Sequence, residues 1–187
     1  MSLVAYEVRA AVALLTFQRP DQLNAMSLQL MRDLIAAIER ATDDAEARVV
    51  VLTGAGRGFM AGADITEYAA QTPAQFEHFQ ILGRRVYAAL EGCPKPTVAA
   101  VNGAAFGGGF EIALACDLLV AAAGAKLGLP EVLLHLLPGG GGTQRLPRKL
   151  GLTRAHELLL TGRTVTAEEL LAWGACNAVF PRETFLD

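Results

Sequence analysis

The sequence predicts an α/β fold, on three observations. Continuous runs of β-branched residues, which suit strands buried on both faces, recur along the chain. Between them stand helix patterns with apolar spacings of three and four, several opened by their own capping residues. The 187-residue length fits one domain, residues 1–187, and 52% hydrophobic residues supply its core.

Two short apolar runs, residues 4–8 and Val12–Phe17, flank Arg9-Ala10-Ala11 and read as a hairpin at one edge. Ser27 caps a helix whose apolar positions are Leu30, Met31, Leu34, Ile35 and Ile38. Residues 48–53 form a doubly buried strand. Thr72-Pro73-Ala74-Gln75 joins a capping box to a proline at the first helical position. That helix runs to about Leu90, where Gly92, Pro94 and Pro96 end it. Thr97–Val101 is the next buried strand, followed by a glycine loop over 103–109 and a helix beginning near Gly108. Leu118–Ala122 is a further strand. The final third holds short helices: 153–160 stopped by Gly162, and one opened by Thr166-Ala167-Glu168-Glu169 and stopped by Gly174. Self-similar segments, low-complexity tracts and linkers are absent from the sequence.

Composition narrows the function classes. Charged residues are only 19%, below the usual value of about 25%, so part of an apolar surface is expected to lie under another subunit. A net charge of −3 without a polybasic cluster argues against binding nucleic acid. Glu111, Asp117, Lys126 and Glu131 interrupt the most apolar region, so no membrane span is expected. Cys93, Cys116 and Cys176 lie far apart without a C-x-x-C pair, which fits neither a disulfide framework nor a zinc site. With no basic-then-apolar leader pattern at the N-terminus, the expected setting is the cytoplasm.

The side-chain inventory removes further options. The two serines are Ser2, at the terminus, and Ser27, a helix cap, so serine acyl-enzyme chemistry has no candidate. His156-Glu157 begins a zinc-protease motif, but position 160 is Leu. His78 and His156 read as surface residues of helices. Gly54-Ala55-Gly56-Arg57-Gly58-Phe59 follows a strand, yet Phe59 stands where a dinucleotide fingerprint needs its third glycine. The stretch reads as a turn.

Gly107-Gly108-Gly109 has a different setting, because a buried strand leads in, a helix leads out, and Glu111 follows within one turn. Amides at a helix N-terminus are unpaired and carry partial positive charge, and glycine lets a ligand reach them. Such donors suit an anionic oxygen developing on a carbonyl. Tight helix–strand packing explains the same glycines equally well. Phe59-Met60-Ala61-Gly62-Ala63-Asp64-Ile65 offers a second backbone donor just beyond a strand. Leu129-Pro130-Glu131 presents a carboxylate, and the glycines of Pro138-Gly139-Gly140-Gly141-Gly142-Thr143-Gln144 open another helix. Glu111 and Glu131 thus lie in apolar surroundings, where desolvation raises carboxyl pKa values towards acid–base use. The plainer alternative is that each pairs with an arginine.

Taken in order, these segments resemble the crotonase superfamily of enoyl-CoA hydratases and isomerases. The resemblance is carried by Arg19-Pro20-Asp21-Gln22-Leu23-Asn24-Ala25-Met26, by residues 59–65, by residues 95–103, by Ala105-Phe106-Gly107-Gly108-Gly109-Phe110-Glu111, by Ala115-Cys116-Asp117, by Leu129-Pro130-Glu131 and by residues 138–146. It implies a spiral of β-β-α repeats, a homotrimer or dimer of trimers, and an enoyl thioester of coenzyme A as substrate, as in fatty-acid β-oxidation. It implies no metal and no separate cofactor, since coenzyme A is part of the substrate. Ala63 and Gly108 match the family's oxyanion-hole amides, and Glu111 and Glu131 its catalytic glutamates. Ala61, Asp64 and Ile65 match the strip that meets the adenine end of coenzyme A, and Gly139 the glycine beside the catalytic water. Departures are His135, where relatives often carry a small residue, so that a reshaped acyl pocket is expected, and Thr66, where many carry a base. The family's C-terminal helices are expected to be missing beyond Asp187. The leading reading is an enoyl-CoA hydratase. An isomerase or other thioester-enolate enzyme, and a non-catalytic acyl-CoA binder or assembly subunit, stand as alternatives.

Overall fold

A computed structural model describes residues 2–186, so Met1 and Asp187, the ends of the expected domain, lie outside the described residues. Strands β1 (Val4–Arg9) and β2 (Val12–Phe17) pair antiparallel around Ala10 and Ala11, whose φ angles are 47° and 66°. A two-residue turn of this hand matches the twist of the strands, but a residue with a Cβ resists it. Helix α1 (Leu28–Asp43) follows; the Ser27 hydroxyl accepts from the Leu30 N–H at 3.2 Å, and the five apolar positions of the sequence pattern are buried.

Three β-β-α turns come next. In the first, β3 (Val49–Gly54) and β4 (Gly58–Met60) lead to α2 (Ile65–Ala69) and α3 (Pro73–Glu91), which opens with the expected Thr72–Gln75 capping box. The second turn is β5 (Thr97–Val101), β6 (Ala104–Phe106) and α4 (Gly108–Ala115). The third is β7 (Leu118–Ala122), β8 (Lys126–Gly128), a 3-10 turn Pro130–Leu134 and α5 (Gly142–Thr161). Gly151, at φ 73° and ψ 167°, splits α5 into two limbs, the second matching the helix expected over 153–160. Strand β9 (Val165–Thr166), α6 (Ala167–Ala172) and β10 (Ala178–Phe180) follow. The region over 103–109, expected as a loop, therefore contains a strand.

The first strand of each turn joins a six-stranded sheet of order β1-β2-β3-β5-β7-β10, parallel except for the hairpin. The second joins a smaller sheet, β4-β6-β8-β9, in which β4, β6 and β8 run parallel. Register aligns Met60 with Ala105 and Phe106 with Gly128. The carboxyl ends of β4, β6 and β8 thus lie side by side, and the segments leaving them are neighbours. Helix α4 runs through the interior with residues 109–115 buried, as suits a helix apolar nearly all round. Its one charged side chain is Glu111.

Candidate active site

Three walls of the site leave the ends of strands of the small sheet, the position where open parallel sheets bind ligands, and α3 adds a fourth. After β4, Met26 fixes the backbone from across the chain. Its N–H donates to the Gly62 carbonyl at 2.7 Å, and its carbonyl accepts from the Asp64 N–H at 2.9 Å. The Ala63 N–H between them has no acceptor among the described residues. The Asp64 carboxylate caps α2 by accepting from Thr66 and Glu67 and pairs with Arg19 at 2.8 Å. The Arg19 guanidinium holds that carboxyl below its ordinary range.

After β6, the three glycines divide the two explanations that the sequence left open. Gly107 has φ 51°, its N–H donates to the Gly128 carbonyl at 2.9 Å, and a Cβ there would fall 3.1 Å from Glu131 Oε1. Gly109 is a packing residue: a Cβ would lie 2.8 Å from both the Met60 carbonyl carbon and the Met60 Cβ. Gly108 faces the site. As the first residue of α4 its amide has no partner within the helix, and a Cβ would meet side chains only, Met26 Cε at 3.2 Å and the Tyr87 hydroxyl at 3.4 Å.

One turn further, Glu111 is 2% exposed. Its Oε1 accepts from the Gly140 N–H at 2.8 Å and the Gly142 N–H at 2.7 Å. Burial pushes its pKa up to about 7, against the pull of those two amides and with a further push from Glu131. Its Oε2 has no hydrogen bond among the described residues. The turn that supplies the amides is held by Arg145, which donates to the Gly140 carbonyl and pairs with Glu91 at 2.8 Å. After β8, Glu131 enters on the 3-10 turn with a buried Oε2 that finds no partner, and burial raises its pKa as well. Neither glutamate has a cationic partner among the described residues, which removes the arginine-pairing alternative.

These groups surround a cavity of about 330 Å³. Ala61, Ala63, Ile65, Gly108, Glu111, Glu131 and Gly139 all line it, whereas Asp64 does not. Met26, Phe79, Phe106, Leu134, Leu136 and Leu137 make most of the wall apolar. His135 corrects an expectation: it is exposed, closes the 3-10 turn at φ 57°, and does not line the cavity that it was expected to reshape. Thr66 is likewise exposed. Sequence reasoning missed Tyr87, the amides of Gly140 and Gly142, and Arg145. The run of four glycines was the one available signal for the two amides.

Two unpaired amides can hold a carbonyl oxygen as it gains charge, and two carboxyls of raised pKa can move protons beside it. The comparisons agree with that chemistry. The family model described as enoyl-CoA hydratase/isomerase matches residues 7–187. A short-chain-enoyl-CoA hydratase of Clostridium acetobutylicum is 42% identical over 94% of this chain and 68% of its own length. A crotonyl-CoA hydratase of Syntrophomonas wolfei is 38% identical over 98% of this chain and 71% of its own. The crystal structure of an enoyl-CoA hydratase from Bacillus anthracis superposes with a TM-score of 0.95 at 40% identity, covering 98% of this chain and 72% of that one. The chain thus spans roughly seven tenths of the length of these proteins. Fold, ordered motifs and the geometry of the cavity lead to one conclusion: the chain belongs to the enoyl-CoA hydratase/isomerase family.

Proposed function

We infer that this chain is an enoyl-CoA hydratase, adding water syn across the 2,3 double bond of an enoyl thioester of coenzyme A. The observation that carries the reading is the pair of glutamates lining one cavity with two unpaired amides. The thioester oxygen accepts from the N–H groups of Ala63 and Gly108, where the positive end of α4 adds its field. Attack of water at C3 shifts electrons towards that oxygen. Glu111, anchored through Oε1, accepts the water's proton, and Glu131 protonates C2. Burial raises the pKa of both carboxyls, that of Glu111 to about 7, where proton donation and acceptance balance near neutral pH.

Coenzyme A lies along the backbone at Ala61 and Ile65, Asp64 fixes that strip through Arg19 and Met26, and Gly139 flanks the water. The reaction moves protons and no electrons leave the substrate, so it calls for no metal or redox cofactor. A homotrimer or dimer of trimers fits the low charged fraction and the exposed leucines at the cavity rim, while a cytoplasmic setting and fatty-acid intermediates as substrates rest on the family resemblance. No described helix is long and apolar enough to cross a membrane.

Incubation with crotonyl-CoA tests the activity. The enoyl absorbance should fall, and in heavy water deuterium should appear at C2. Migration of the double bond with no water incorporated would replace this reading with the isomerase.

A further inference from the structure

We propose that the Tyr87 hydroxyl contacts the oxygen that is added at C3, donating a hydrogen bond first to the attacking water and then to the new hydroxyl group. The proposal rests on the hydratase reading and extends it to a residue whose sequence position reads as ordinary core. On α3, Leu82, Val86 and Leu90 are buried in the main core, while Gln80, Gly83, Arg84 and Tyr87 line the cavity. Tyr87 is 7% exposed, yet its hydroxyl has no hydrogen-bond partner among the described residues. The ring is buried while the hydroxyl opens on the cavity, where its O–H is free to donate to a bound molecule.

The hydroxyl's neighbours place it at the reacting centre. A Cβ at Gly140 would fall 2.6 Å from Glu111 Oε2 and closer still to the Tyr87 hydroxyl, so these two oxygens lie less than about 5 Å apart on the cavity lining. A Cβ at Gly108 would lie 3.4 Å from the same hydroxyl. An oxygen atom in the cavity that reaches both can give its proton to Glu111 Oε2 while accepting from Tyr87. The phenol is suited to donate, since burial and the adjacent Glu111 both favour its protonated form. Arg145, fixed by Glu91 and the Gly140 carbonyl, stands 5.2 Å from the ring centre and holds the ring from behind.

Tyr87→Phe deletes one oxygen and keeps the ring. Two ligands that cannot be hydrated separate its roles: butyryl-CoA, with no oxygen on C3, and acetoacetyl-CoA, whose C3 oxygen accepts a hydrogen bond. Calorimetry should find acetoacetyl-CoA bound about three- to tenfold more weakly by Tyr87→Phe, with butyryl-CoA unchanged within about twofold. Turnover of crotonyl-CoA should fall by about tenfold with little change in KM, since the contact strengthens as the new C–O bond forms. Equal weakening of both ligands, or no change in either, overturns the proposal while wild-type hydration upholds the hydratase reading. A wild type that fails to hydrate crotonyl-CoA overturns that reading, and the proposal with it.

Discussion

Glu111 and Glu131 face one cavity from segments built in opposite ways. Glu111 sits in a helix buried along residues 109–115, and two amides grip one of its oxygens. Glu131 rides a single 3-10 turn followed by leucines that are largely exposed, Leu137 at 79%, and its Oε2 touches no donor. One carboxyl is held by the protein; the other leaves an oxygen without a partner among the described residues. The contrast fits a division of labour in which the proton acceptor fixes the water's position and the donor follows the developing carbanion.

Replacing each carboxyl by an amide gives the largest expected effect. Glu111→Gln should keep its place, because the amide oxygen can still accept from Gly140 and Gly142, and lose about 10²-fold or more in turnover. Glu131→Gln should lose a similar factor. Full hydration activity in either variant, measured in steady state, would end the division of labour.

The glycines of α4 sharpen the same comparison. Gly108→Val meets only side chains, so the protein should fold and lose about 10²–10³-fold in turnover as the thioester oxygen is pushed off its donor. Gly109→Ala drives a Cβ into the backbone of Met60 and should instead lower stability by about 1–3 kcal/mol. Thermal melting beside kinetics separates the two outcomes. If Gly108→Val fails to fold while Gly109→Ala is stable, the roles given to these residues are reversed.

Burial of Glu111 also sets a pH dependence. Its pKa stands at about 7 in the folded protein against 4.5 ordinarily, so between those values the folded state binds more protons than the unfolded one. Stability therefore falls as pH rises through that window, by at most about 3 kcal/mol. Glu111→Gln cannot ionise and should resist urea better than wild type at pH 8, with the advantage shrinking at pH 5. The acid limb of wild-type kcat/KM should lie near pH 7, since the free carboxylate is the form that accepts the proton.

The smallest expected effect lies far from the cavity. Ala10→Asn with Ala11→Gly places residues tolerant of positive φ in the hairpin turn and should raise stability by about 1 kcal/mol without changing turnover. An unchanged melting temperature would mean that the turn stores no strain.

The elements legible in the sequence were those long enough to repeat a pattern. The five apolar positions after Ser27, the Thr72–Gln75 capping box and the strand Thr97–Val101 all stand where their spacing put them. Strands β4, β6 and β8 have three residues each, too few for any periodicity, and only pairing with one another makes them strands. They nonetheless bring the walls of the site together, so the residues could be named from the sequence while their convergence could not. Tyr87 was illegible for a different reason. A helical pattern reports which face is buried, and the opening of one hydroxyl onto a cavity depends on residues from other segments.

The stagger of the β-β-α turns has a consequence for how such a chain can change. In the proposed reaction thioester polarisation falls to the first two turns, at Ala63 and Gly108, whereas Glu131 and the turn gripping Glu111 belong to the third. Residues 129–142 can therefore be rewritten, moving or deleting acids, while the two amides still stabilise an enolate. On that reading the scaffold sets the two polarising amides apart from Glu131 and from the backbone that positions Glu111, so one stretch of chain can alter the acids without disturbing the amides.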